Sequence, residues 1–157
     1  MRVFHELPPV FDENSKVLIL GSLPSVKSRK VGFYYMHPQN RFWRVLEEIF
    51  KEKIEDKKEF CLIHHIALWD TCASCEITSS SDSSIKNIVP NDLSLILEKA
   101  NIVQIFTTGK KAHEIYQKYL YPVYKKEDIC LSSTSPANAK KKLKDLVEEY
   151  KKIIKFL

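Results

Sequence analysis

The chain has 157 residues, 44% hydrophobic and 29% charged, which is ample apolar mass for one core, so wholesale disorder is excluded and a single domain over residues 1–157 is expected. No uncharged apolar run approaches the roughly 20 residues that span a bilayer and no export signal opens the chain, so a cytoplasmic, nucleoid-associated protein with reduced thiols at Cys61, Cys72, Cys75 and Cys130 is expected. The net charge of +5 favours polyanions, and the three glycines, Gly21, Gly32 and Gly109, are too few for a dinucleotide fingerprint or a two-glycine phosphate loop.

In chain order, KVLIL at residues 16–20 is a short apolar run ending at Gly21, the signature of a buried strand. Phe42, Leu46, Ile49 and Phe50 then recur with helical period, with Glu47, Glu48 and Lys51 opposite. Residues 61–68 read as a second strand, with His64 and His65 as core histidines inside it. Residues 76–91 are polar, with a serine-rich run at 79–84, and read as a surface loop. A helix is expected over 91–99, capped by Asn91 after Pro90. A third strand follows at 102–107, a helix at 110–120, a fourth strand at 128–132 and a last helix from Asn138 to the C-terminus. Apolar strands alternating with helices predict an α/β fold, a three-layer α/β/α sandwich around a four-stranded parallel sheet.

In such sheets ligands bind outside the carboxyl ends of the strands. The loops there are GSLPS at 21–25, followed by Lys27, Arg29 and Lys30, and then FYYMHPQNRFW at 33–43. After the later strands come ALWDT at 67–71, TTGKKA at 107–112 and SSTSPAN at 132–138. Polar, aromatic and basic residues thus gather at one end of the sheet, a composition suited to a planar polar ligand attached to phosphates. The spacing of Cys72 and Cys75 is that of a metal pair, but Cys61 and Cys130 fall in expected buried strands, so buried thiols without metal are expected. Seven lysines against three acids over residues 140–157 accompany a full apolar stripe and read mostly as a solvated helix face.

These five strings, in this order and spacing, resemble the uracil-DNA glycosylase superfamily, and within it the hypoxanthine-DNA glycosylase branch. The likeness runs from about Val3 to Leu157 and is strongest in the tyrosine pair and HPQNRFW. It implies the same sandwich fold and the removal of a damaged base by cutting the N-glycosidic bond, without cofactor or metal, on duplex DNA, by a monomer. By resemblance Asn40 is catalytic. Phe33, Tyr34 and Tyr35 supply a stacking platform for a flipped base, Gly21 and Ser22 belong to the base pocket, and Asp70 reads the base edge. Ser25, Lys27, Arg29, Arg41, Ser133, Ser135, Pro136 and Asn138 face DNA. The chain departs from the uracil-specific branches, which carry Asp or Asn in the first loop, and its second motif lacks the histidine used in some branches.

The chemistry suits these residue types. Cleavage leaves positive charge on the sugar and negative charge on the base, so a positioned water and hydrogen-bond donors are needed. An asparagine is no base at neutral pH, but its carbonyl can hold a water in line. Asn40 is expected near the start of a helix capped around His37 and Pro38, and Ser135 and Pro136 are expected to start the last helix and offer free N–H groups to a phosphate. Alternative readings are a uracil- or mismatched-thymine-specific enzyme of the superfamily, or a nucleic-acid-binding module without catalysis.

Overall fold

A computed structural model describes residues 1–77 and 85–157; the serine-rich run expected at 79–84 lies outside the described residues. The sequence VLILG forms strand β2 (Val17–Gly21), buried at every position. A strand apolar on both faces belongs in the middle of a sheet covered from both sides. It pairs in parallel with β3 (Ile66–Asp70) on one side and with β6 (Gln104–Thr108) on the other, and β6 pairs with β7 (Asp128–Leu131), giving the order β3-β2-β6-β7. In this register Gly21 lies opposite Asp70 and Leu20 opposite Thr107.

The connections from β2 to β3 and from β6 to β7 run in opposite directions across the sheet, so right-handed crossovers place their helices on opposite faces. The first connection carries α1 (Val26–Val31), α2 (Phe42–Phe50) and α3 (Lys57–Ile63), and α7 (Leu143–Tyr150) packs against α2. The second carries α5 (Lys110–Ile115), which continues through a π-helical turn (Tyr116–Leu120) into α6 (Tyr121–Tyr124). The α/β sandwich with a parallel four-stranded sheet is therefore as the sequence reading expects.

The outer edge of β3 is closed by the chain at Val10, which exchanges backbone hydrogen bonds with Leu68. Beyond the main sheet, β1 (Arg2–Phe4), β4 (Cys72–Glu76) and β5 (Lys86–Pro90) form an antiparallel three-stranded sheet that the pattern did not announce. Part of the segment read as a polar loop is thus strand β5. Its alternation of exposed and half-buried positions belongs to a one-sided outer strand.

Several boundaries shift for identifiable reasons. Residues 61–63 belong to α3 and not to a strand: Asp56 caps the helix through Glu59 N–H, Phe60 and Cys61 face the core, and Ile63 is exposed. His64 closes that helix and meets Glu52, while His65 makes the turn into β3 with a φ of 63°. The helix expected over 91–99 contracts to one turn, α4 (Ser94–Leu97), with Asp92 accepting from Ser94 N–H. The last helix begins at Leu143, where Lys142 N–H donates to Asp145, and then tightens into a 3-10 stretch (Lys151–Phe156). Cys130 is exposed, because its edge strand β7 is only partly covered, whereas Cys61, Cys72 and Cys75 are buried. No helix among the described residues is long and apolar enough to cross a membrane.

Burial leaves an alkaline weakness. Desolvation pushes the Cys61 thiol from 9.0 up to about 12, and burial raises Cys72, Tyr34, Tyr35 and Tyr150 as well. Each such group stays protonated in the fold while its unfolded counterpart ionises. Its stabilisation is complete below the unfolded value and is lost as pH rises, at up to about 1.4 kcal/mol per pH unit per group. Thermal unfolding followed by circular dichroism should show a flat midpoint to about pH 9 and a steepening fall above it. Cys61→Ala should make that fall shallower.

Candidate active site at the strand ends

The register that pairs Gly21 with Asp70 sets the floor of the crevice. A Cβ on Gly21 would lie 2.5 Å from Asp70 Oδ1, 3.4 Å from the Tyr35 hydroxyl and 3.6 Å from Thr108 Oγ1. Glycine at 21 is therefore required by the carboxylate that crosses it. Asp70 is 3% exposed. Its Oδ2 lies 2.7 Å from His5 Nε2, and its backbone carbonyl accepts from Asn91 Nδ2, which also reaches the carbonyl of Cys72.

The aromatic block divides among three surroundings. Tyr35 adopts φ 56°, a left-handed conformation that costs a bulky side chain on the order of 1–3 kcal/mol. That turn brings its ring flat against Phe42, with centroids 3.9 Å apart, and its hydroxyl to Thr108 Oγ1 at 3.2 Å. Burial and the nearby Asp70 charge hold this phenol well above its ordinary value, so it remains a neutral hydroxyl. Tyr34 is instead a core residue, 2% exposed, with its hydroxyl turned to the carbonyls of Leu7 and Pro8. It backs the wall and offers no free ring face. Phe33 stacks on Trp43 and, with Met36, lines an open depression against Glu55, Asp56, Lys57 and Lys58.

Asn40 stands two residues before α2, next to the N-cap residue Arg41, and its Oδ1 accepts from Phe42 N–H at 2.9 Å. The helix start is thus later than the expected cap at His37 and Pro38; His37 Nδ1 instead accepts from Gln39 N–H within the preceding turn. The same Oδ1 accepts from the hydroxyl of Thr134, a buried residue of SSTSPAN. Asn40 is therefore fixed by two donors and linked through Phe42 and Tyr35 to Gly21 and Asp70.

Arg41 does different work from the phosphate contact expected of it. Its guanidinium donates to the backbone carbonyls of Thr134, Ser135, Asn138 and Lys141. A planar fork with five donors suits such a task, and here it gathers residues 134–141 against the start of α2. Ser135 and Pro136 consequently lie in a turn and not at a helix start. Ser133 Oγ accepts from Ser135 N–H, Ser135 Oγ from Ala137 N–H, and Asn138 Nδ2 donates to Ser133.

On the other side, Ser25 caps α1 through Ser28 N–H, and Lys27 and Lys30 are exposed on that helix. Arg29 is half-buried, with its Nε buried and unpartnered among the described residues. Ser22 lends its carbonyl to Cys72 N–H.

A model of the uracil DNA glycosylase superfamily matches residues 8–157. The chain belongs to that superfamily. A protein of Methanosarcina barkeri named hypoxanthine DNA glycosylase is 35% identical over 133 residues, covering 81% of this chain and 84% of the relative. One of the same name from Methanosarcina acetivorans is 38% identical over 113 residues, covering 68% and 72%. The solution NMR structure of a Methanosarcina acetivorans protein described as a uracil DNA glycosylase superposes with a TM-score of 0.78 at 31% identity, over 98% of this chain and 99% of that one. This chain is a DNA glycosylase of the superfamily.

Sequence reasoning passed over His5, Thr108, Thr134 and Asn91 in the glycosylase. Thr134 and Thr108 sit inside recognised strings, so their place was marked. His5 carried no local signal, and Asn91 read only as a helix cap, whereas its amide holds the backbone carbonyls of Asp70 and Cys72.

Substitutions at Arg41 and Lys27 test loop-holding against phosphate contact. Replacing Arg41 by Lys should lower stability by about 1–3 kcal/mol through lost charged hydrogen bonds, while leaving the salt dependence of DNA binding unchanged. Lys27→Ala should reduce the slope of log affinity against log salt by about 0.9, with no change in unfolding temperature.

Proposed function

We propose that this glycosylase flips a deaminated base, hypoxanthine, out of duplex DNA and hydrolyses its N-glycosidic bond with a water positioned by Asn40. The observation that carries the reading is the joining, at the strand ends, of a buried carboxylate acceptor at Asp70, the Tyr35 ring and the doubly anchored Asn40. The two relatives named for hypoxanthine support the choice of base.

Extruding a base costs a few kcal/mol, least for a mispaired one, and stacking on an aromatic ring returns about 1–3 kcal/mol. Asp70 Oδ1 accepts the ring N–H that a deaminated base presents. When the glycosidic bond breaks, its electron pair leaves with the base, and the sugar carbon becomes electron-poor. Water adds there and gives up a proton to solvent or to the departing base.

Asn40 takes no proton and therefore orients the water. Without substrate, both favourable directions at its Oδ1 are filled by Phe42 N–H and the Thr134 hydroxyl. A hydroxyl rotates about one bond, so Thr134 can release a lone pair of Oδ1 to a donating water while Phe42 keeps the amide in place. No lysine is needed as a nucleophile, and Lys110 and Lys111 are carried at the start of α5.

Lys27 and Arg29 on α1, with Ser25 at its cap, face the duplex backbone. On the opposite rim, the turn of Ser133, Ser135, Pro136 and Asn138 is held in shape by Arg41 for the same role.

The test is incubation with duplexes carrying inosine, uracil or a G·T pair, followed by alkali. Strand scission at inosine above the others is expected. Preferred scission at uracil or at thymine would move the specificity to that base, and none at any lesion would leave a binding module. Asn40→Ala should lose on the order of 100-fold or more in the single-turnover rate with affinity for the duplex retained. Borohydride should trap no enzyme–DNA adduct, and a trapped adduct would replace water by a lysine.

A further inference from the structure

Among the described residues, one side chain holds the Asp70 carboxylate. Strand β1 pairs antiparallel with β4, Val3 opposite Cys75 and Phe4 opposite Ser74. The ladder ends with His5 N–H donating to the carbonyl of Ala73 at 2.7 Å. This pairing carries the His5 ring beneath the end of β3, where it packs tilted to Tyr34 and edge-on to Trp69. The side chains of His5 and Asp70 are 1% and 4% exposed, and Nε2 stands 2.7 Å from Oδ2.

A carboxylate removed from water needs donors. Among the described residues His5 is the only side chain that hydrogen-bonds this one. With Nε2–H donating to Oδ2, the carboxylate cannot rotate freely, and its other oxygen is left over Gly21, where a Cβ would approach Oδ1 to 2.5 Å. Oδ1 has no hydrogen-bond partner among the described residues. An acceptor so placed fits a ligand N–H.

We propose that His5 is a positioning residue for base selection: it orients Asp70 so that Oδ1 accepts the ring N–H of a lactam or imide base and repels a base with a lone pair there. This rests on the assignment of the glycosylase to deaminated bases. Deamination replaces a ring nitrogen acceptor by an N–H donor, at N1 when adenine becomes hypoxanthine and at N3 when cytosine becomes uracil. One fixed acceptor therefore separates the damaged bases from their parents. A buried acceptor facing a lone pair leaves both groups without a hydrogen bond, which is the strongest kind of discrimination a pocket offers.

The experiment measures single-turnover release of hypoxanthine for wild type, His5→Phe, His5→Gln, Asp70→Ala and the His5→Phe/Asp70→Ala double variant. Affinity for a duplex with an abasic site is measured alongside. His5→Phe should lower the rate at least tenfold. His5→Gln, whose amide can still donate to Oδ2, should recover to within about threefold of wild type, and the double variant should be no slower than Asp70→Ala alone. Affinity for the abasic duplex, which has no base to read, should stay within about twofold throughout. An unchanged rate in His5→Phe, additive losses in the double variant, or a parallel loss of abasic-site affinity overturns the proposal. A wild-type chain that releases no hypoxanthine overturns the deaminated-base reading itself, and this inference with it.

Discussion

Gly21 and Asp70 meet at the ends of two adjacent parallel strands, and the carboxylate of one occupies space that a side chain on the other would need. The contact depends on the register of β2 against β3: a slip of one residue would point Asp70 to the opposite face of the sheet. Both strands are buried on two sides, so the crevice chemistry sits directly at the end of the hydrophobic core. A buried carboxylate also demands partners. His5 reaches it, and Asn91 holds the main chain of Asp70, from two other segments.

The second half of the site is organised by a cation. Arg41 spends its guanidinium on four backbone carbonyls of the turn after β7, and this binds residues far apart in sequence into one wall. Thr134, carried on that turn, completes the hold on Asn40. Phe42 joins the halves, because its N–H fixes Asn40 while its ring supports Tyr35. The left-handed backbone at Tyr35 is tolerated since that stacking contact and the bond to Thr108 return what the turn costs.

Much of this was legible in the chain. The four apolar runs located the parallel strands, and the placement of polar and aromatic strings after them located the crevice. Where the reading slipped, it did so for local reasons. The apolar run at 61–68 merges the end of a helix with the start of a strand, and a short run has too few periods to tell one from the other. The serines and proline at 133–136 have the composition of a helix cap, yet the hydroxyls close turns within the loop and the helix waits for Lys142 and Asp145. Tyr34 and Tyr35 are neighbours of one chemical type, and only the sign of φ at Tyr35 sends one to the core and the other to the crevice.

The small outer sheet lay beyond such reading because β1, only three residues long, finds its partner β4 some 70 residues further along the chain. It is this sheet that delivers His5. By itself the sequence determined the fold class, the end of the sheet at which chemistry is built, and Asn40, Tyr35 and Asp70 as candidates, since periodicity and turn composition are local properties. Only the tertiary structure decided that Arg41 serves the loop, that Tyr34 serves the core and that His5 serves Asp70. Those roles are set by hydrogen-bond partners, and partners brought together from distant segments leave no mark in the residues beside them.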